Sequence, residues 1–238
     1  MKSYLCFITL ALALGGCAVG NKADYRQAVP SINVSTAHEV LVSVVDDRPY
    51  VTRGSKRPNY VGTVRGGYYN PFNATTKSGR PLASDLQDAV VAGFERAGVK
   101  AKHQQPGATG PAQDHQKVLV LRLSEWKSDT YMRTRFDHDV SAMVKNARGD
   151  ILGSSQTQGS SAVDNIIEAG REILRTAIGS EEMIAALNGG AFPATHSVPA
   201  PSLDPGPAYD ECMARVMRIS DTDLRLQSMK TCDAVQPD

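Results

Sequence analysis

Residues 39–46 read Glu39-Val40-Leu41-Val42-Ser43-Val44-Val45-Asp46, and residues 117–124 read Lys117-Val118-Leu119-Val120-Leu121-Arg122-Leu123-Ser124. In both runs, apolar side chains occupy positions that would point to either face of a strand. Such runs suit strands in the interior of a sheet. Between them, Leu82, Leu86, Ala89, Val90, Gly93, Phe94 and Ala97 share one stripe of an amphipathic helix from Leu82 to Ala97. Asp85, Asp88, Glu95 and Arg96 are expected off that stripe. Pro81 pre-sets the first turn and Gly98 supplies the stop. A short strand near Val99 to Lys102 follows, then a Gly/Pro/Gln loop over 104–116.

Working outward, Phe136, His138, Val140, Ala142 and Val144 alternate with more polar neighbours, the pattern of a half-exposed strand. Asn146-Ala147-Arg148-Gly149 turns the chain into a hairpin with Ile151 to Gln158. Val163 to Leu187 is helical, with Val163, Ile166, Ile167, Gly170, Ile173, Leu174, Ala177 and Ile178 facing inward and a break near Gly179-Ser180. Strand, helix, strand, strand, hairpin, helix describes an α/β (α+β) sandwich. We expect a mixed sheet of about four to five strands with two main helices packed on one face.

The block from Glu39 to about Leu187 resembles the YajG-type bacterial lipoproteins. The residues that carry the likeness are Val42-Ser43-Val44-Val45-Asp46-Asp47-Arg48, the Gly-rich loop after them, Pro81-Leu82-Ala83 and the hairpin at Gly149. The resemblance implies a small fold also seen in the N-terminal domain of the translocation protein TolB and in curli-secretion lipoproteins. It implies an envelope role without a defined reaction. The chain departs from the pattern in its longer first loop and its cysteine-bearing tail.

The N-terminus, MKSYLCFITLALALGGC, has a positive flank at Lys2 and an apolar run from Tyr4 to Leu14. That run is shorter than the ~20 residues needed to span a bilayer, so residues 1–16 are expected to be a signal peptide. Leu14-Gly15-Gly16-Cys17 resembles the lipobox of bacterial lipoproteins, which implies a lipid on Cys17. Ala18 after the cysteine favours, by the same resemblance, the outer membrane facing the periplasm. Residues 17–38 form the lipidated N-terminus and a polar tether, and 39–188 the α/β domain. Residues 189–207 carry five prolines and form a linker, and 208–238 a helical hairpin. Of four cysteines, Cys6 leaves with the signal and Cys17 takes the lipid. An exported pair, Cys212 and Cys232, is then expected to form a disulfide that staples the hairpin.

The 238 residues are 41% hydrophobic and 21% charged, with 26 Lys plus Arg against 25 Asp plus Glu. That balance excludes reliance on a global positive field, and no nucleic-acid partner is expected. None of the five histidines has metal-ligand spacing. In Asp137-His138-Asp139 the carboxylates and the imidazole would point to opposite faces of a strand. There is no GxSxG elbow and no phosphate-cradling GxxxxGK[ST]. The expectation is therefore no catalytic residue, no metal and no cofactor beyond the covalent lipid.

One segment remains. From Asp46 to Pro81 no periodicity is visible, and a structureless stretch longer than ~15 residues is uncommon unless it is functional or disordered. It holds Arg48, Tyr50, Tyr60, Arg65, Tyr68, Tyr69 and Phe72, residue types that interface hot spots favour. These seven are the candidate partner-binding residues. The partner would be an envelope protein, with peptidoglycan or another glycan as the alternative and membership of an outer-membrane secretion or transport assembly as a third. Packing back over the sheet is the competing reading for the same rings.

Overall fold

A computed structural model describes residues 21–66, 68–105 and 115–189. Backbone contacts divide the chain into two units, Met1–Pro193 and Ala194–Asp238. The second unit lies outside the described residues, and with it the expected Cys212–Cys232 disulfide and helical hairpin, as do most of the expected linker, the expected signal segment and Cys17.

Among the described residues one eight-stranded sheet is formed. Its strands are β1 (Lys22–Ala23), β2 (Glu39–Asp46), β3 (Tyr60–Arg65), β4 (Pro71–Thr76), β5 (Ala101–His103), β6 (Gln116–Thr130), β7 (Thr134–Lys145) and β8 (Ile151–Val163). The helices are α1 (Pro49–Thr52), α2 (Leu82–Arg96), α3 (Ile166–Ile178) and α4 (Glu181–Asn188), with a single 3-10 turn at Tyr25–Gln27.

The two apolar runs, now β2 and β6, lie side by side and parallel from Glu39↔Gln116 to Asp46↔Leu123. Beyond Leu123 the same edge of β6 takes a different neighbour, β3, paired in parallel from Gly62↔Ser128 to Val64↔Thr130. The change of partner coincides with a bulge in β6 between Leu123 and Glu125. An extra residue reverses the alternation. Leu119, Leu121 and Leu123 face the core before the bulge, and Trp126 and Ser128 after it. The other edge of β6 carries the antiparallel β7 and then β8.

The helices α2, α3 and α4 share one face of the sheet. Val42, Leu119, Val144 and Gly153 stand in one row across β2, β6, β7 and β8. A Cβ at Gly153 would come 2.9 Å from the Cβ of Ala186, so glycine lets α4 sit on the strand. In the next row Ser155 donates its hydroxyl hydrogen to the Ala177 carbonyl of α3. Leu82, Leu86, Val90 and Phe94 of α2 are fully buried against the same core. Removing such a side chain typically costs about 2–5 kcal/mol. The opposite face is left half-exposed at Leu41, Val45, Val118, Val120 and Met143.

Several sequence expectations are corrected. The sheet has eight strands rather than four or five. The additional ones lie in segments read as irregular. β3 and β4 form an antiparallel hairpin inside residues 46–81, and β1 pairs with β4 inside the presumed tether. These strands are short and interrupted by Gly62, Pro71 and Asn73, so no run of apolar alternation announces them. Residues from Asn21 onward are part of the body: Tyr25, Ala28, Val29 and Val34 are buried. Tyr25 meets Trp126 edge-on at 5.6 Å, and Trp126 meets Phe136 the same way at 5.4 Å. Asp85 also differs from its expected exposed place. It is fully buried, and both carboxylate oxygens accept from the Ser78 hydroxyl at 2.8 Å. Arg80 adds a third contact, Nη2 to Oδ1, at 3.3 Å. Sequence polarity was satisfied here by local hydrogen bonds rather than by water.

Candidate functional site

The seven candidate residues of 46–81 separate into two groups. The first braces the point where β6 exchanges β2 for β3. Arg48 is fully buried. Its Nε and Nη2 donate to the two carboxylate oxygens of Asp46, each at 2.7 Å. Nη1 donates to the carbonyls of Tyr60 at 2.7 Å and Trp126 at 3.2 Å, and Nη2 also to that of Pro58 at 3.2 Å. All five N–H donors of the guanidinium are thereby used. Tyr50 lies against this cluster, its hydroxyl donating to Glu125 at 2.7 Å, with burial pushing the phenol's pKa up. Tyr60 is 6% exposed and meets Tyr50 edge-on at 5.6 Å. The expectation that Arg48 and Tyr60 present themselves to a partner is therefore corrected. A guanidinium with every donor engaged in the interior ties strands together.

The second group is at the far end of the β3–β4 hairpin. Arg65 forks onto Asp129 of β6, Nε to Oδ1 at 2.8 Å and Nη2 to Oδ2 at 2.5 Å. That hydrogen bonding, foremost among its causes, holds the Asp129 carboxyl below the usual carboxylate range. The guanidinium carbon of Arg65 also stands 4.4 Å from the ring centroid of Tyr69. Tyr69 has φ 63°, the left-handed region that a bulky side chain occupies at a cost of roughly 1 kcal/mol or more. The turn holds it there, with the Tyr69 amide donating to Gly66 O at 2.8 Å and the Gly66 amide to Asn70 O at 2.9 Å.

The strained turn sends Tyr69 toward the neighbouring β6–β7 hairpin, where it meets Tyr131 edge-on at 5.2 Å. The two hairpin ends thus form one tip. Its apolar side chains are conspicuously open to solvent: Tyr68 is 94% exposed, Met132 88%, Tyr69 57%, Tyr131 48% and Phe72 40%. Arg133 is exposed between Met132 and β7, and it forms no ion pair among the described residues. Sequence reasoning found Arg65, Tyr68, Tyr69 and Phe72 but missed Tyr131, Met132, Asp129 and Arg133. A signal existed. Tyr131 and Met132 occupy a hairpin turn, where small polar residues are the rule.

A cleft of about 440 Å³ lies below the tip, bordered by Lys22, Asp24, Val64, Thr130, Thr134 and Asn165. Asn165 spends its side-chain oxygen on capping α3, accepting from Ile167 N at 2.9 Å and Glu168 N at 3.3 Å. Lys117, 5% exposed, donates to the Ala186 and Leu187 carbonyls at the end of α4, and burial lowers its pKa. His138 lies on the helix face, while Asp137 and Asp139 lie on the other, bonded to Ser160 and Gln156. No group of three or more His, Cys, Asp or Glu able to hold a metal occurs among the described residues. No described helix is long and apolar enough to cross a membrane.

No protein-family model and no curated protein sequence matches the chain. Among solved structures, similarity is found to protein XCC0632 of Xanthomonas campestris, assigned to DUF330. The two are 14% identical with a TM-score of 0.41, over 68% of this chain and 95% of that one. The PelC dodecamer from Paraburkholderia phytofirmans aligns at 11% identity and a TM-score of 0.38, over 67% of this chain and 93% of that one. Lipoprotein GNA1162 from Neisseria meningitidis aligns at 12% and 0.28, over 60% of this chain and 95% of that one. Likeness this slight assigns the chain neither a family nor a task.

Proposed function

We propose that the protein is a lipid-anchored, non-enzymatic lipoprotein of the bacterial envelope that works by contact, using the paired hairpin tip as its contact surface. The observation that carries the reading is the tip itself. Five large apolar side chains, Tyr68, Tyr69, Phe72, Tyr131 and Met132, are held open to solvent on a frame braced by the Arg48 cluster and the Arg65–Asp129 fork. A monomer's largest exposed apolar patch is often functional, and a strained, stacked Tyr69 argues that the arrangement is maintained rather than incidental. The Leu14-Gly15-Gly16-Cys17 motif and the resemblance to YajG-type lipoproteins supply the anchor and the compartment, with Ala18 favouring the outer membrane, periplasmic side. Two or three acyl chains on Cys17 would hold the chain durably, where a single one would not.

The test has two arms. Cys17→Ser in the full chain should move the protein from the membrane to the soluble envelope fraction; an unchanged membrane fraction refutes the anchor. A photo-crosslinking side chain at Tyr68 or Tyr131 should capture an envelope component, whereas the same probe at Arg148, in the turn at the other end of the sheet, should not. Equal capture at both positions refutes the tip as the contact surface.

A further inference from the structure

We infer that the component met by the tip is the lipid surface carrying the anchor, so that the domain stands on the membrane through Tyr68, Tyr69, Phe72, Tyr131 and Met132. The inference rests on the anchor reading above and names the partner of the same site.

Chain direction is the first ground. β1 is parallel to β4, with Lys22 opposite Thr75 and Ala23 opposite Thr76. β4 begins at the tip, at Pro71, and runs away from it. The chain therefore enters the fold from the tip side, and the Thr75 amide donates to Asn21 O as it does so. Cys17 is five residues before Lys22. At 3.3–3.6 Å per residue, the contour length limits its distance from Lys22 to about 17 Å. From Thr75 to Phe72 along β4 is about 10 Å in the same direction. Because 22–38 is folded rather than tether, a lipid on Cys17 cannot be far from the tip.

Chemistry is the second ground. Tyrosine combines an apolar ring with a hydroxyl that tolerates water, which suits the boundary between headgroups and acyl chains. Methionine is flexible and apolar. The charges are nearly balanced: Arg65 is matched by Asp129, and the exposed Arg133 has Asp164 in the same hollow beside Met132. Contact would thus depend on apolar burial rather than on an anionic surface, and should persist in neutral lipid and at high salt.

The experiment uses the full lipidated chain in phosphatidylcholine vesicles with and without bromine on the acyl chains. Tryptophan replaces Met132 in one variant and Arg148 in the other; the native Trp126 is fully buried and gives a common background. Flotation with the vesicles reads the anchor, and bromine quenching reads the tip. The expected result is flotation of both variants, with Met132→Trp emission quenched several-fold more than that of Arg148→Trp. Flotation with equal quenching overturns the inference and leaves the anchor standing. Failure to float overturns the anchor reading and the inference with it. Capture of a protein instead of lipid by the crosslinker at Tyr68 also overturns the inference, while leaving the tip as a contact surface.

Discussion

At the scale of single residues, the strongest commitment is Arg48. Its guanidinium is fully buried, and its partners are one carboxylate and three backbone carbonyls drawn from the β2 end, the β3 start and the β6 bulge. Arg48→Met should cost about 3 kcal/mol or more, because the Tyr60 and Trp126 carbonyls would remain buried, and Asp46 mostly so, without donors. Urea unfolding measures this, and a midpoint equal to that of the parent chain would refute the role. A second residue sets a pH dependence. Burial lowers the His138 pKa from 6.5, outweighing the opposing pull of Asp139 and Asp137. The unfolded chain therefore takes up the proton first. The stability tied to this group is fully present above pH ~6.5 and is lost as pH falls from there through the lowered folded value. Comparing unfolding midpoints at about pH 7.5 and about pH 5.5, His138→Gln should lose less stability than the parent on acidification. The sequence showed that Asp137 and His138 would part to opposite faces, since alternation alone requires it. It did not show Arg48 as interior, because an arginine's burial depends on acceptors supplied by Pro58, Tyr60 and Trp126, which no local pattern brings together.

At the scale of elements, legibility followed the length of the hydrophobic pattern. β2, β6 and α2 were plain, since each displays three or more buried apolar side chains in register with its own period. β3 and β4 were not. Tyr60-Val61-Gly62-Thr63-Val64 has strand-forming residues interrupted by a glycine, and the interruption has a tertiary cause. A Cβ at Gly62 would lie 2.2 Å from Ser128 Oγ and 2.4 Å from Ser128 O, so only glycine permits β3 to come this close to β6. Gly62→Ala should accordingly destabilise by about 1–3 kcal/mol and loosen the hairpin that carries Tyr68 and Tyr69. Amide exchange would reveal it as faster exchange across residues 60–76, with β7 and β8 unaffected; uniform exchange throughout the sheet would contradict the local account. The long reach of β6 past Ser124 was hidden for a related reason. The bulge breaks the alternation, and Glu125, Lys127 and Asp129 after it offer no apolar run to extend the strand.

For the molecule as a whole, the largest departure from the sequence reading concerns residues 21–38. Their mixed polarity suggested a spacer, yet they fill the helix layer: a Cβ at Gly93 would meet Pro30 O at 2.9 Å, and one at Gly170 would meet Tyr25 Cε1 at 3.2 Å. Apart from Ala28-Val29-Pro30, the buried residues of the segment are set apart by polar or exposed ones, so no long window looks like core. Tyr25→Ala should cost about 3–5 kcal/mol, as expected for an aromatic removed from a packed interior. A spacer would show no change in thermal midpoint, which makes calorimetry decisive. The same segment has a mechanical consequence. The chain enters along the axis of β1, which is held beside β4 by the Thr75 amide on Asn21 O and the Lys77 amide on Ala23 O. Tension arriving from the seventeenth residue would load these rungs in shear, together, instead of peeling them apart in turn. Behind them Tyr25 acts as a stopper, seated under the helices, that traction must draw out before the strand can slip.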